Sequence, residues 1–368
     1  MFTRFHGIDL HKRYMTISIR DFSGKEIFTQ LKCSDFYGYI RTLTSDDVLV
    51  VEAVNNAFHW ADEMEKQGAT CLVVDPHKFK IIRDSWSKTD KKDAANLSLA
   101  LWMAMMRQEF KMPIIYKPSV VIRDLRRLFA QYQMINKQIR QYKNTIQALL
   151  TEAGILLSSR DKERLLKPQS GIQVFKTLEM PHSTGLCVLM NIYLLFNLID
   201  QKEILKREIL KAGIDFESEM KLLITIKGVT PLLALAFLAD IGDIHRFSNV
   251  RKFNAYLGVV PRVKASGGKT VMGHINKQSR SLSRSLYSQT INHFVSASEG
   301  MTEFYASMKT RRGAGRSRIA VLRRLFSIMR SMLLHNEEFR YKDEINVHNK
   351  MVDYEMEMRK IRLLATES

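Results

Sequence analysis

Asp9 and Glu52 sit in apolar, strand-like runs, where a lone carboxylate is costly. Asp90 and Asp93 are three residues apart, so on a helix they share a face. Four oxygen-donor side chains on rigid elements suit Mg²⁺ or Mn²⁺, and two such ions about 4 Å apart clamp the attacking and leaving oxygens of a phosphoryl transfer. Far along the chain Ser266 is followed by two glycines and flanked by Arg262, Lys264 and Lys269, within LGVVPRVKASGGKTVMGHIN at 257–276. Mobile backbone, one hydroxyl and three cations suit a serine that meets a phosphate. Structural readings compete with each of these. Asp90 is a good N-cap and Asp93 favours the dipole of a first helical turn. The Ser266 stretch also reads as a solvated glycine-rich loop, entered where an apolar helix ends at Leu257-Gly258 and kept non-helical by Pro261.

The elements that must position these groups can be read from periodicity. Strands are predicted at 5–10, 14–20 and 26–31, a helix at 34–43, a buried strand at 48–51 closed by Glu52, a helix at 58–67, a strand at 70–74 and an apolar-striped helix at 90–106. That order is the order of a ribonuclease-H-like α/β domain, in which the first and fourth strands are neighbours and Asp9 and Glu52 converge. A linker at 113–118 leads into a heptad seam, Leu125, Leu128, Tyr132, Ile135, Ile139, Tyr142, Ile146 and Leu149. The seam predicts a long coiled-coil arm, ended by Gly154, with Arg123, Arg126, Arg127, Lys137, Arg140 and Lys143 off the seam as a basic flank. A second long helix is predicted at 186–211. Two apolar helices within 222–243 flank Lys227, Gly228, Val229 and Thr230, a pattern that reads as a helix-hairpin-helix holding a DNA phosphate or as an ordinary helical hairpin. After the Ser266 stretch comes a polar-basic helix, 277–294, with Lys277, Arg280 and Arg284 as candidate nucleic-acid contacts. It carries further serines, among them Ser279, Ser281, Ser283 and Ser285, so serine count alone selects no nucleophile. A basic hinge at 309–318 precedes an apolar helix at 319–334. The expected domains are an α/β domain at 1–110, a helical connector at 118–215, a mostly helical C-terminal domain at 220–340 and a charge-mixed tail at 341–368.

Charge separates these parts. Residues 1–110 hold 15 Lys/Arg and 15 Asp/Glu, whereas 221–340 hold 20 and 6, the larger share of a net charge of +19. A neutral, acid-bearing module joined to strongly basic modules points to a polyanionic partner. Three widely spaced cysteines, Cys33, Cys71 and Cys187, have no metal-ligand spacing and imply reduced, buried thiols in a cytoplasmic, nucleoid-associated protein. Arg4, His6, Asp9 and His11 interrupt any N-terminal apolar run, so no signal segment is expected. The most apolar window, 185–199, is 15 residues long, short of the roughly 20 that a membrane span needs, and is predicted to be a buried or subunit-contact helix rather than a membrane anchor.

The motifs together resemble a known family. GIDLHK around Asp9, VVEA holding Glu52 and KTDKKDA holding Asp90 and Asp93, followed by KGVTPLLALAFLADIGD and FNAYLGVVPRVKASGGKTVMGHINK, are similar to insertion-sequence transposases of the IS-one-ten type, the DEDD transposases that include pilin-gene invertases. The resemblance covers about residues 4–107 and 220–335. It implies a RuvC-like domain with Asp9, Glu52, Asp90 and Asp93 as the metal-binding acids and a second domain with Ser266 as nucleophile, forming a covalent phosphoserine during strand exchange. It also implies acids of one subunit completing the site around the serine of another, dimers pairing into tetramers, donor and target DNA as substrates and a noncoding bridge RNA as guide. Two departures stand out: Val54-Asn55-Asn56 replaces a small residue and glycine after the glutamate, and no glycine follows within 278–281. Two alternatives remain: a RuvC-like Mg²⁺ nuclease with no covalent intermediate, and a nucleic-acid scaffold whose acids only cap helices.

Overall fold

The computed structural model describes residues 2–79, 89–107, 111–266, 269–275 and 279–366, and divides into two compact units, 1–117 and 118–368. In the first unit, β1 (Arg4–Leu10), β2 (Met15–Asp21), β3 (Glu26–Cys33), α1 (Phe36–Ile40), β4 (Asp47–Glu52), α2 (Ala57–Glu65), β5 (Thr70–Val74) and α3 (Asp90–Trp102) follow the predicted order. The sheet runs β3-β2-β1-β4-β5. β1 and β2 are antiparallel, with Asp9 opposite Thr16, while β4 is parallel to both β1 and β5. A mixed five-stranded sheet of this order is consistent with the ribonuclease-H-like expectation. β4 is central and parallel, so Val48, Leu49, Val50 and Val51 are buried on both faces, which is why it reads as an unbroken apolar run. Ile8, Ile17, Leu49 and Val51 face one core with α1 and α2, while Phe5, Val48, Val50 and Val74 face a second with α3.

α3 lies unusually close to β1. A Cβ on Gly7 would come within 2.2 Å of the Ala94 carbonyl oxygen and of the Ser98 nitrogen. The Ser98 and Ser18 hydroxyls meet at 2.9 Å on the same side, and the Trp102 indole N–H donates to the Phe22 carbonyl, so the helix is pinned at both its middle and its end.

At the far end of β1 a buried ion network locks the sheet. Arg4 donates to both Asp47 oxygens at 2.6 Å, His6 Nε2 bonds Asp47 Oδ1 at 3.0 Å, the Thr44 N–H donates to Oδ2 at 2.8 Å, and Tyr39 Oη lies 2.6 Å from His6 Nδ1. Burial alone would push the Asp47 carboxyl up, but hydrogen bonds from His6, Arg4 and Thr44 outweigh it and hold the group well below the usual carboxylate range. A carboxyl depressed in the folded state contributes stability above its unfolded pKa, about 3.9, and loses it as pH falls below that. Asp47→Asn is therefore expected to destabilise the first unit by about 1–3 kcal/mol at pH 7, because a buried acceptor of several hydrogen bonds is lost while the partly exposed Arg4 can turn to solvent. Denaturant melts check this, and below about pH 4 the variant should show a flatter loss of stability than the parent.

Among its described residues the second unit is helical apart from one ribbon. α4 (Val120–Glu152) is a 33-residue helix packed along α7 (His182–Ala212), with the short helices α5 (Ser159–Leu165) and α6 (Gly171–Lys176) between them in sequence. Of the predicted seam, Leu125, Tyr132, Ile135, Ile139 and Ile146 are buried, whereas Leu128, Tyr142 and Leu149 are half-buried and Phe129 and Leu150 go deeper. A straight helix of 3.6 residues per turn drifts from a 3.5-residue repeat, which moves the inward position by one at those places. α7 buries Val188, Ile192, Leu195 and Ile209 and leaves Leu186, Met190, Tyr193 and Leu194 exposed. Among the described residues it is also long and apolar enough to cross a membrane by length and composition, which the shorter apolar window at 185–199 understates. Cys187 on this helix is exposed, so the buried-thiol expectation holds only for Cys33 and Cys71.

α8 (Glu217–Ile224) and α9 (Pro231–Ile241) follow. Thr230 caps α9 through its hydroxyl, Pro231 occupies the first turn, and all nine residues from Leu233 to Ile241 are buried, making α9 the centre of this unit. The unit is completed by α10 (Val250–Tyr256), the ribbon β6 (Pro261–Ser266) and β7 (Lys269–Ile275), α11 (Leu282–Val295), α12 (Glu299–Arg312), α13 (Ala314–His335) and α14 (Glu344–Thr366); α11 packs on α9, and Phe237 of α9 meets Phe253, Tyr287 and Phe326. The charge-mixed tail is not passive: α14 buries Tyr354, Met358 and Ile361 in the same core, and Lys350 donates to the Ile224 and Ile226 carbonyls.

Candidate functional site

The acids are placed by the sheet and by one helix. β1 and β4 pair in parallel up to Ile8 opposite Val51, so Asp9 and Glu52 follow as neighbours at the carboxyl ends of adjacent strands. The close approach at Gly7 brings the first turn of α3 over the same strand end. Thr89, not Asp90, is the N-cap: its hydroxyl accepts the Lys92 N–H. Capping therefore does not account for Asp90, and the Asp90 carboxylate instead accepts a hydrogen bond from the Tyr14 hydroxyl at 3.1 Å. Asp93 stands one turn further along.

His11, just beyond β1, joins the two sides. Its Nε2 lies 3.1 Å from Asp9 Oδ2 and 3.5 Å from Asp90 Oδ2. Donor atoms of Asp9, His11 and Asp90 all fall within 4.8 Å of one another, a spacing able to hold a metal ion. Burial pushes the Asp9 carboxyl up; His11 opposes this, and the negative charges of Asp90 and Asp93 add to it. Carboxylates gathered so closely repel unless a cation shares them, and the two carboxylates and one imidazole fit a divalent ion. Glu52 is brought beside Asp9 by register, outside that three-residue group.

Ser266 is not in an open loop. It ends β6, and its backbone pairs with Lys269 at the start of β7 in an antiparallel ribbon. Arg262 and Lys264 precede Ser266 on the same strand. The side chains of Arg262, Lys264, Ser266 and Lys269 lie outside the described structure, as do Gly267, Gly268 and Lys277 altogether. The ribbon is rooted in α9 and α11. Arg280 Nε donates to Asp240 Oδ1 at 3.0 Å, and the other oxygen of this fully buried carboxylate accepts the Ser283 N–H at 2.7 Å and hydroxyl at 2.8 Å. Arg284 donates to the Gly258 carbonyl at 2.9 Å. Both arginines thus brace the ribbon's entry and exit. Lys227 is half-buried and its ammonium lies 3.5 Å from the Ser296 carbonyl, while Gly228, at φ +83°, sits so close to α11 that a Cβ would fall 2.5 Å from His293 Cβ.

Sequence reasoning missed four contributors. His11 registers there only as a polar interruption, although it stands two residues after Asp9 and shares its strand parity. Tyr14 holds Asp90, and Asn56, one of the departures from the family pattern, donates to the His11 carbonyl at 3.3 Å. Arg126, grouped with a basic flank, is half-buried and donates to the Ala239 and Asp240 carbonyls at the end of α9.

A family model described as "Transposase IS116/IS110/IS902 family" matches residues 220–306, and a transposase model of the DEDD type matches residues 6–155. The first includes Ser266 and the second all four acids. The "Transposase for insertion sequence element IS1111A" of Coxiella burnetii (strain RSA 493 / Nine Mile phase I) is 26% identical over 352 residues, 91% of this chain and 90% of that protein. A "Probable family 20 transposase" of Pseudomonas aeruginosa PAO1 is 24% identical over 288 residues, 76% of this chain and 77% of that protein.

Proposed function

Given that this chain belongs to the IS116/IS110/IS902 family of transposases and is a DNA transposase, we propose that it cuts and rejoins DNA through a serine-linked intermediate. The observation that carries the reading is the meeting of Asp9 and Asp90, from separate elements, at the carboxyl end of β1. Ser266 Oγ attacks a backbone phosphorus, displacing one deoxyribose oxygen; the serine loses its proton and the departing sugar oxygen gains one. A serine phosphodiester and a free sugar hydroxyl result. Attack by a sugar hydroxyl of another strand reverses the step and restores a DNA diester, so rejoining needs no ATP. A serine hydroxyl is a weak nucleophile without electrostatic help. Arg262, Lys264 and Lys269 provide it by offsetting charge on the phosphate. Asp9, Glu52, Asp90 and Asp93 would hold divalent metal, and a bound Mg²⁺ or Mn²⁺ would supply Lewis-acid stabilisation of the charged transition state. Tyr14 keeps the Asp90 carboxylate turned toward Asp9.

The basic second unit grips donor and target DNA, with Lys227, Gly228, Lys277, Arg280 and Arg284 near the backbone, and a noncoding bridge RNA supplies target choice by pairing. Support for the RNA is the family resemblance together with the charge of this unit. Copies of the chain associate as dimers and pairs of dimers, a reading supported by the exposed apolar positions of α7.

The test is a protein–DNA adduct that survives denaturation and depends on divalent ion. Free cleaved ends without adduct would support the alternative, a RuvC-like metal nuclease. Asp9→Asn is expected to lower strand exchange by about 10²–10³-fold or more, the scale for removing one electrostatic contributor to a charged transition state. DNA binding should remain within about threefold, since most of it comes from phosphate contacts by cations. Exchange assays and salt titrations of binding check the two parts.

A further inference from the structure

We propose that His11 is itself a ligand of the divalent-ion site, binding through Nε2, and that it biases the site toward Mn²⁺ over Mg²⁺. The inference rests on Asp9 and Asp90 being metal ligands and goes beyond the four carboxylates of the family pattern. Its basis is the way the imidazole is held. The His11 N–H donates to the Tyr14 carbonyl at 2.9 Å, closing the turn between β1 and β2. Asn56 Nδ2 donates to the His11 carbonyl at 3.3 Å, holding the other backbone group of the same residue. The ring lies on Tyr14, centroids 4.4 Å apart, and the Tyr14 hydroxyl reaches Asp90. Backbone, neighbouring amide and aromatic face therefore all fix the ring with Nε2 between the two carboxylates, 3.1 Å from one and 3.5 Å from the other. Support of this kind around a ligand ring is what keeps metal-bound histidines in place.

The ligand chemistry then follows. Mg²⁺ favours oxygen donors and keeps much of its water, whereas imidazole nitrogen suits first-row transition ions. With Asp9 and Asp90 alone the site discriminates little; with a nitrogen added, Mn²⁺ gains an inner-sphere bond that Mg²⁺ gains poorly.

The experiment uses the full chain loaded with Mn²⁺ alone, without DNA. Pulsed electron paramagnetic resonance reads nitrogen-14 coupling to the bound Mn²⁺, and calorimetry reads Mn²⁺ and Mg²⁺ affinity for the parent, His11→Ala, His11→Gln and Asp9→Asn. Circular dichroism melts establish that each variant is folded, and His11→Gln keeps a polar group of similar reach should the alanine variant not fold. The expected result is nitrogen coupling in the parent that both His11 variants lose. Mn²⁺ affinity should fall about tenfold or more on losing that ligand, and Mg²⁺ affinity by less than about threefold. Mn²⁺ bound by the parent with oxygen coupling only, or unchanged Mn²⁺ affinity in both His11 variants, overturns the assignment of His11 and leaves the carboxylate site standing. Mn²⁺ that fails to bind the parent any better than Asp9→Asn overturns both.

Discussion

Ser266→Ala is expected to abolish strand exchange, by about 10⁴-fold or more, and to remove the denaturation-resistant DNA adduct completely. Deleting the nucleophile of a covalent mechanism removes the intermediate, and effects on that scale accompany the loss of a serine nucleophile elsewhere. Alanine keeps the strand backbone, so the pairing of position 266 with Lys269 should survive. The lost group is a neutral hydroxyl, so affinity for DNA should change by less than about twofold, binding being set by cations. An adduct gel and a binding titration on the same preparation separate the two effects. Other serines offer poor substitutes: the Ser283 hydroxyl is buried on Asp240, and the Ser279 hydroxyl accepts from Arg284. Undiminished exchange from Ser266→Ala would end the covalent reading and leave the metal centre as a nuclease.

Gly7→Ala is the second large effect, and it tests geometry rather than chemistry. The added methyl would meet backbone atoms of α3 at 2.2 Å on two sides, and neither is the flexible end of a side chain. Helix α3 must therefore move outward by about 1 Å or more to restore ordinary contact. Overpacking of this kind costs about 1–3 kcal/mol, so the unit should still fold, with a midpoint lowered in thermal or denaturant melts. The first turn of α3 travels with the helix, carrying Asp90 and Asp93 away from Asp9. A misplacement of about 1 Å is enough to cost about 10²-fold in rate. A loss of activity much larger than the loss of stability, with divalent-ion affinity reduced in parallel, is the expected signature. Full activity with a reduced melting point would show that Gly7 serves packing alone.

The acids were readable from sequence because their surroundings obey simple periodicity. Alternation in β2, the unbroken apolar run of β4 and the turn residues between strands place Asp9 and Glu52 without a structure. What could not be read depends on contacts distant in sequence. His11 matters only once α3 folds back to bring Asp90 opposite it, 79 positions along the chain. Arg126 looks like any flanking cation until the carbonyl end of α9 arrives beside it. Asp90 was the best local candidate for a cap, yet Thr89 takes the role, because the extended backbone at 89 lets its hydroxyl reach Lys92. The ribbon at 261–275 was misjudged for a different reason. Proline and paired glycines signal a break, yet the residues on either side of the glycines, 261–266 and 269–275, pair as antiparallel strands. The tail shows the same limit from the other side. Its charges balance and its apolar residues are scattered, but Tyr354, Met358 and Ile361 fall on one helical side, and a core formed by other helices receives them.

The end of α9 has mechanical consequences. Arg126 ties the 33-residue helix α4 to the Ala239 and Asp240 carbonyls, and the side chain of that same Asp240 holds Arg280 and Ser283, where the chain leaves the ribbon bearing Ser266. The long helix and the segment that follows the ribbon thus meet at one buried residue, so a load on that lever is felt at Asp240, where the chain enters α11.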